Sequence, residues 1–227
     1  MASRRTELQH FVQKYDWDCG IACIQMILLK LGEVSDDSAI YKLTASLEIS
    51  ESVWTIDLAN ILRHFKVESV YYTVTCGVDP SYKDKEYYKD DFNTEETRVN
   101  MLFKTATDIG INIVKKSITM ADILSMLDSG YVAIVLVDSS DFTCNFCAKK
   151  NNTMDPTIYS IFSDNSEKQY HGHYIVLCGY NTHLGVIYCK NPSLADVECC
   201  VNIPVFDMAR KRHGTDEDII FVKIKTQ

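Results

Sequence analysis

The second half of this chain is a succession of short apolar runs rich in β-branched residues, whereas the first half is patterned for helices. That order constrains the fold more than any other feature. YVAIVLV (131–137), HYIVLCGY (173–180), VIYCKNP (186–192) and DIIFVKI (218–224) have strand length and are bounded by polar turn residues. The first is unbroken, as a central strand buried on both faces would be. The second and third are joined by NTHLG, a tight turn containing Gly185, and read as a hairpin. Upstream, GIACIQMILLKL (20–31) places Ala22, Cys23, Met26, Ile27 and Leu31 near one helical face, with Gly32 where a helix would stop. TIDLANILRHF opens a second helix with Thr55 as N-cap and Asp57 in the first turn. A third is predicted over 94–109, with acids in its first turn, and a short fourth over MADILSMLDSG, closed by Gly130. Gly77 to Asp91 reads as a loop and Asp138 to Gln169 as a long polar insertion. Helices followed by mostly antiparallel strands indicate an α+β fold rather than a doubly wound parallel sheet. With 46% hydrophobic residues, no repeat and no Pro/Gly/Ser-rich linker, the chain is read as a single domain over residues 1–227.

Charge and hydropathy remove several classes of function. A net charge of −8 disfavours binding that works by neutralising phosphates, so no nucleic acid partner is expected. No apolar window approaches the roughly 20 residues that cross a bilayer. The start MASRRTELQHFVQKYDWDCG lacks the apolar stretch of a secretory signal, so neither membrane association nor secretion is expected, and the cytoplasm, with the nucleus open, is the expected location. Nine cysteines, an odd count in such a chain, then read as reduced thiols. The question becomes which of them reacts.

The strongest local signal is QKYDWDCGIACIQMIL (13–28). A helix beginning at Gly20 places Cys19 at its N-terminal edge, where free N–H groups and the helix dipole favour a thiolate, the nucleophilic form. Gln13, six residues upstream, is placed to join the Cys19 N–H in binding an oxyanion. Cys19 is also readable as a small buried hydrophobe at a helix cap. A thiol nucleophile needs an imidazole and a group that fixes its tautomer. Folding the hairpin about Thr182 to His183 brings His173 nearly opposite Asn191, whose amide oxygen can accept from the ring. The competing reading makes His173 an ordinary strand-end histidine and Asn191 a turn former before Pro192.

Other groups compete for attention. Cys23, one turn beyond Cys19, is the rival nucleophile and otherwise core; His171 is the rival base. Cys144 and Cys147 have the spacing of half a zinc site or a redox dithiol, with His171 or Cys199-Cys200 as further ligands reachable only through folding, and otherwise read as exposed thiols in a surface loop. Cys178 and Cys189 read as packing residues, and Trp17 as the lining of a substrate groove or the cap of a core.

The series Gln13, five residues, Cys19-Gly20, Ala22-Cys23 and an apolar helix, followed by His173-Tyr174-Ile175-Val176-Leu177 and Asn191-Pro192, resembles the C39-like branch of papain-fold cysteine peptidases. Those carry a Gln, a Cys in a DCG motif, a His opening a strand, and an Asp or Asn before Pro. The resemblance implies a papain-like α+β fold with the N-terminal helix packed on an antiparallel sheet. It implies Cys19 as nucleophile, His173 as general base, Asn191 as its orienter and Gln13 as oxyanion donor. The whole chain also resembles a narrower family, the eukaryotic guanylyl cyclase domain-containing proteins of animals and plants, on YDWDCGIAC, WTIDL (54–58), FNTEETRVN (92–100), GHYIVLCGYN (172–181), KNP (190–192) and GTDEDIIFV (214–222).

A nucleotide cyclase needs carboxylates that hold a divalent cation against a triphosphate, and basic groups for the phosphates. Asp90, Asp91, Glu95, Glu96, Asp216, Glu217 and Asp218 supply acids, but TEET reads as a helix start and TDED as a solvated turn. There is no phosphate-binding Gly-rich loop, and the basic residues are scattered apart from Lys115-Lys116 and the Arg210 to Arg212 cluster. The expectation is therefore a cysteine hydrolase or acyl transferase acting as a monomer on a peptide or protein substrate, with no cofactor and no metal. Guanylyl cyclase activity and a catalytically silent binding module are the alternatives. Phytochelatin synthase, also papain-like, uses its cysteine for transpeptidation, so hydrolysis is not the only outcome of such a site.

Overall fold

Along the strands formed by Tyr131–Asp138 and Gly172–Asn181, successive side chains enter two different hydrophobic clusters, so both faces of the sheet are covered. The computed structural model describes residues 3–79, 92–140, 142, 144, 170–195 and 198–224. In chain order its elements are β1 (Ser3–Arg5), α1 (Cys19–Leu31), α2 (Ser38–Ser46), α3 (Thr55–His64), β2 (Ser69–Thr73), α4 (Phe92–Thr105), β3 (Ile113–Lys115), α5 (Met120–Asp128), β4 (Tyr131–Asp138), β5 (Gly172–Asn181), β6 (Val186–Lys190), β7 (Glu198–Asn202), α6 (Ile203–Ala209) and β8 (Ile219–Lys223). The eight strands form one sheet in the order β3-β2-β8-β4-β5-β6-β7, with β1 added beside the far end of β5. Among the described strands, β2–β3 is the one parallel pair.

Val132 and Ile134 of β4, Tyr174, Val176 and Cys178 of β5, and Ile220 and Val222 of β8 face one cluster with α1 and α3. Ala133, Val135, Ile175, Leu177, Ile219 and Phe221 face the other, covered by Ile123 and Leu127 of α5 and Phe206 and Ala209 of α6. The fold is thus α+β, with a mostly antiparallel sheet between two helical layers. No helix among the described residues is long and apolar enough to cross a membrane.

The predicted helices and strands are present, with adjusted ends. Gly32 closes α1 at a positive φ of 74°, which suits a residue without Cβ. Trp54, not Thr55, is the N-cap of α3, and its N–H donates to the Asp57 carboxylate at 2.9 Å. The helix predicted over 94–109 runs from Phe92 to Thr105. In the hairpin, Lys190 pairs with Val176 and Cys189 with Leu177, a register two residues away from one that sets His173 opposite Asn191, with a bulge between Leu177 and Gly179. Of the loop predicted over 77–91, residues 80–91 lie outside the described residues, as does most of the insertion predicted over 138–169.

Between β1 and α1, residues 6–18 cross the end of the sheet and are tied to it midway, where the Gln13 N–H donates to the Pro192 carbonyl at 2.9 Å. Glycine is required where this path begins, because a Cβ on Gly179 would collide with the Arg4 carbonyl and lie 2.9 Å from the Arg5 Cα.

Candidate active site

Cys19 is the first residue of α1, and its neighbours explain the DCG sequence. Asp18 is fully buried and does not cap the helix. Its carboxylate turns back to accept the N–H groups of Lys14 (3.3 Å) and Tyr15 (3.0 Å) and a short hydrogen bond from the Tyr41 hydroxyl, fixing the bend that leads into Cys19. A Cβ on Gly20 would lie 3.0 Å from both Leu58 Cδ atoms and from Cδ2 of Tyr174, so the absent side chain lets the helix start rest on β5.

Cys19 is 7% exposed, and its sulfur accepts the Tyr174 main-chain N–H at 3.5 Å. Burial pushes its thiol above the ordinary range, and the Asp18 charge pushes the same way; the N–H groups of Tyr174 and Gly20 oppose both without prevailing. The thiolate expected from the helix position is therefore corrected: desolvation outweighs the helix start and favours the neutral thiol.

His173 immediately precedes Tyr174, and its Nε2 lies 2.8 Å from Oδ1 of Asn191. The same Asn191 atom accepts from the Ser193 main-chain N–H at 3.0 Å and the Ser193 hydroxyl at 2.8 Å, which identifies it as the amide oxygen. His173 Nε2 is then the donor, and in the neutral ring Nδ1 keeps its lone pair. Burial lowers the imidazole below its usual pKa, and the Asn191 hydrogen bond offsets this only in part. The contact forms although the residues are not cross-strand partners: β6 ends at Lys190, and Asn191 opens a turn closed by Leu194 N–H donating to the Asn191 carbonyl at 3.1 Å.

Gln13 reaches the same turn through its main chain, while its side-chain amide donates to the Tyr15 carbonyl at 2.8 Å. Its Oε1 is buried and makes no hydrogen bond. Trp17 stacks on exposed Tyr15 with ring centroids 5.6 Å apart, forming an aromatic wall just before Cys19.

The rival groups separate from this cluster. Cys23 is fully buried in the core, as are Cys178 and Cys189. His171 is exposed, and its N–H donates to Asp138 at 3.3 Å. Cys144 is buried rather than an exposed loop thiol, because its sulfur accepts the Cys200 N–H of β7 at 3.4 Å; Cys147 lies outside the described residues. Among the described residues no group of three or more His, Cys, Asp or Glu is arranged to hold a metal ion.

The acids of the second resemblance carry structural contacts. Arg98 pairs with buried Asp57 through two hydrogen bonds, at 2.5 and 3.0 Å, and with Glu95 at 2.8 Å, clasping α4 to α3. The Asp216 carbonyl accepts the Val74 N–H at 2.9 Å, and Glu217 accepts the Ser117 hydroxyl at 2.6 Å. Asp90 and Asp91 lie outside the described residues. Sequence reasoning missed the Tyr174 N–H at the sulfur, since a main-chain donor leaves no mark on residue type. It also missed Thr55, whose hydroxyl is 2.9 Å from that of Tyr174.

The chain matches four known groups or proteins. A family described as guanylylate cyclase matches residues 8–222. Guanylyl cyclase 1 of Arabidopsis thaliana is 33% identical over 225 residues, covering 99% of this chain and 78% of the relative. Among solved structures, a C39-like peptidase candidate from Bacillus anthracis superposes with a TM-score of 0.54 at 13% identity, covering 98% of this chain and all of the other. A double glycine motif protease from an AMS/PCAT transporter, solved with its leader peptide, gives 0.44 at 12% identity over 96% of this chain and 94% of that one.

Proposed function

This chain belongs to the guanylylate cyclase family and has the fold of a C39-like peptidase, and from that premise we propose that it is a cysteine-dependent hydrolase or acyl transferase acting on a peptide or isopeptide-type bond. The observation that carries this reading is the His173 Nε2 to Asn191 Oδ1 hydrogen bond, which leaves Nδ1 as the basic nitrogen of a residue adjoining the one that holds Cys19 Sγ.

Because burial favours the neutral thiol and the neutral imidazole over the ion pair, attack is coupled to proton transfer. As Sγ bonds to the substrate carbonyl carbon, its proton passes to His173 Nδ1, and the carbonyl π electrons move to oxygen. The Cys19 N–H and the second N–H of the Gln13 amide stabilise that oxyanion. Collapse breaks the C–N bond, with the imidazolium proton leaving on the amine. The thioester is then resolved by water or by another acceptor that gives its proton to the same nitrogen. Asn191 keeps the ring in the one useful tautomer, and the Tyr15–Trp17 wall flanks the substrate.

Limiting iodoacetamide between about pH 5 and 9, with mapping of the modified cysteines, tests the pairing. Selective labelling of Cys19 that is lost in His173→Ala is the expected result. Labelling of Cys19 unaffected by that variant sinks the reading.

The name of the Arabidopsis relative favours a second reading, conversion of GTP to cyclic GMP. It requires metal-dependent turnover of GTP that survives Cys19→Ala. The Glu95–Arg98 pair and the Glu217–Ser117 hydrogen bond leave those acids less free for a cation than the cyclase reading requires.

A further inference from the structure

A buried carboxyl that the proposed chemistry does not use lies beneath the strand that holds Cys19. Asp218 is 6% exposed, and its Oδ1 makes no hydrogen bond. It ends a turn in which Asp216 and Glu217, neither of them glycine, adopt positive φ values of 49° and 51° in succession. Such backbone is disfavoured for residues with a Cβ and persists only where the surroundings impose it. Here the Thr215 hydroxyl donates to the carbonyls of Arg210 (2.7 Å) and Arg212 (2.9 Å), the Asp218 N–H closes on the Thr215 carbonyl at 2.9 Å, and Val74 holds the Asp216 carbonyl. The strained turn delivers a carboxyl into the α1/α3 side of the core.

What it meets there leads to the site. The Asp218 carbonyl accepts the Leu136 N–H at 3.1 Å, and Leu136 is the register partner of Tyr174 on β5. The carboxyl faces the hydroxyls of Thr55 on α3 and of Thr73 and Tyr71 on β2. Thr55 in turn lies 2.9 Å from the Tyr174 hydroxyl, and the Tyr174 N–H holds Cys19 Sγ at 3.5 Å. Thr55, Tyr71, Thr73 and Tyr174 are all buried, so these polar groups find their partners inside the protein; besides the contacts above, the Tyr174 hydroxyl donates to the Val53 carbonyl at 3.5 Å and the Thr73 hydroxyl to the Thr75 carbonyl at 2.9 Å. Beside Tyr71, the titratable groups that bear on the carboxyl among the described residues include Tyr174 from β5 and Asp216 on its own turn. From β4 it meets Leu136; Arg210 of the neighbouring segment is engaged with Asp207 and Glu217.

We infer that Asp218 is a positioning residue for Cys19, acting through the Thr55 and Tyr174 hydroxyls to fix the main chain that holds the sulfur. The inference rests on the reading of Cys19 as the nucleophile. Burial raises the Asp218 carboxyl to about 7, so the group changes charge near neutral pH. Ionisation places a negative charge at the end of the hydroxyl series and opposes formation of the Cys19 thiolate. The rise of Cys19 reactivity with pH is therefore checked by an inflection near pH 7.

The test is the pH profile of Cys19 alkylation by iodoacetamide, read by peptide mapping in the whole protein, beside the melting temperature. Asp218→Asn is expected to remove the inflection and to label Cys19 roughly threefold to tenfold faster near pH 8. Tyr174→Phe keeps the ring and the N–H but cuts the hydroxyl series, and is expected to lose the inflection with the carboxyl still in place. Profiles of both variants that superimpose on the wild type, with only the melting temperature changed, overturn the inference. Should Asp218→Asn fail to fold, Tyr174→Phe decides by the same criterion. Failure of the nucleophile reading is separate: Cys19 then labels independently of His173, whatever Asp218 does.

Discussion

His173 and Asn191 meet through a 2.8 Å hydrogen bond although the hairpin register does not set them opposite each other; the turn after β6, not strand pairing, brings the amide oxygen to the ring. Asn191→Ala leaves the ring free to adopt either tautomer. His173-dependent labelling of Cys19 is expected to slow by roughly tenfold to a hundredfold. Asn191→Asp adds a negative charge beside the imidazole, raises its pKa and moves the acid limb of the profile to higher pH. Labelling rates across pH in the two variants check both statements.

Burial disfavours the His173 imidazolium, so the ring stays neutral, and usable as a base, below the ordinary histidine range. Reactivity of Cys19 is therefore expected to persist into mildly acidic solution and to fall only below the usual histidine pKa of about 6.5. An acid limb above that value in the wild type contradicts the described environment of the ring.

The Asp57–Arg98 pair is a buried clasp rather than a reactive site. Burial raises the Asp57 carboxyl above its usual range, and Arg98 counters this only in part. Arg98→Met leaves that charge without its partner and is expected to cost about 3–5 kcal/mol in urea unfolding. The double variant Asp57→Asn with Arg98→Met recovers part of the loss, because no buried charge is then left unpaired.

Asp218 also makes stability depend on pH. Its folded pKa of about 7 lies above the unfolded value, so the native state holds a proton that the unfolded chain releases. The contribution is fully present below about pH 4 and is lost as pH rises through 7, by at most about 4 kcal/mol. Asp218→Asn is expected to flatten this part of the curve and to be more stable than the wild type near pH 8, as measured by urea midpoints at several pH values.

Gly20→Ala places a methyl group 3.0 Å from Leu58 and Tyr174. A cost of about 1–3 kcal/mol is expected, and the displaced helix start moves Cys19 from the Tyr174 N–H. Slower Cys19 labelling in a folded Gly20→Ala protein is the corresponding readout.

Much of this was legible in the sequence. The 3.6-residue period of 20–31 and the β-branched runs of β4, β5 and β8 each bury long apolar stretches, and a pattern of that length fixes the element type. SRR, SVYYT and IVK, the sequences of β1, β2 and β3, are too short or too mixed in polarity to declare themselves, and they become strands only because the sheet offers an edge. Gln13, Cys19, His173 and Asn191 stand out in the sequence because their side chains are chemically distinctive, and the structure joins His173 to Asn191. The state of the thiol was not, since position at a helix start is written in the sequence while the depth of burial that overrides it is not. TDED reads as a solvated turn because it is polar; only the folded chain shows that two residues of left-handed backbone turn the Asp218 carboxyl inward.

The place of β8 has a consequence for how the protein is made. It is the last of the described strands in the chain, yet it lies in the middle of the sheet, between β2 and β4. A ribosome that has released everything up to residue 210 therefore displays two half-sheets with raw edges and no seam to join them, the arrangement most exposed to mispairing. The same final strand brings Asp218. Cys19 and His173 both leave the ribosome before β8, so the strand that lies beneath them is the last of the described strands to be laid.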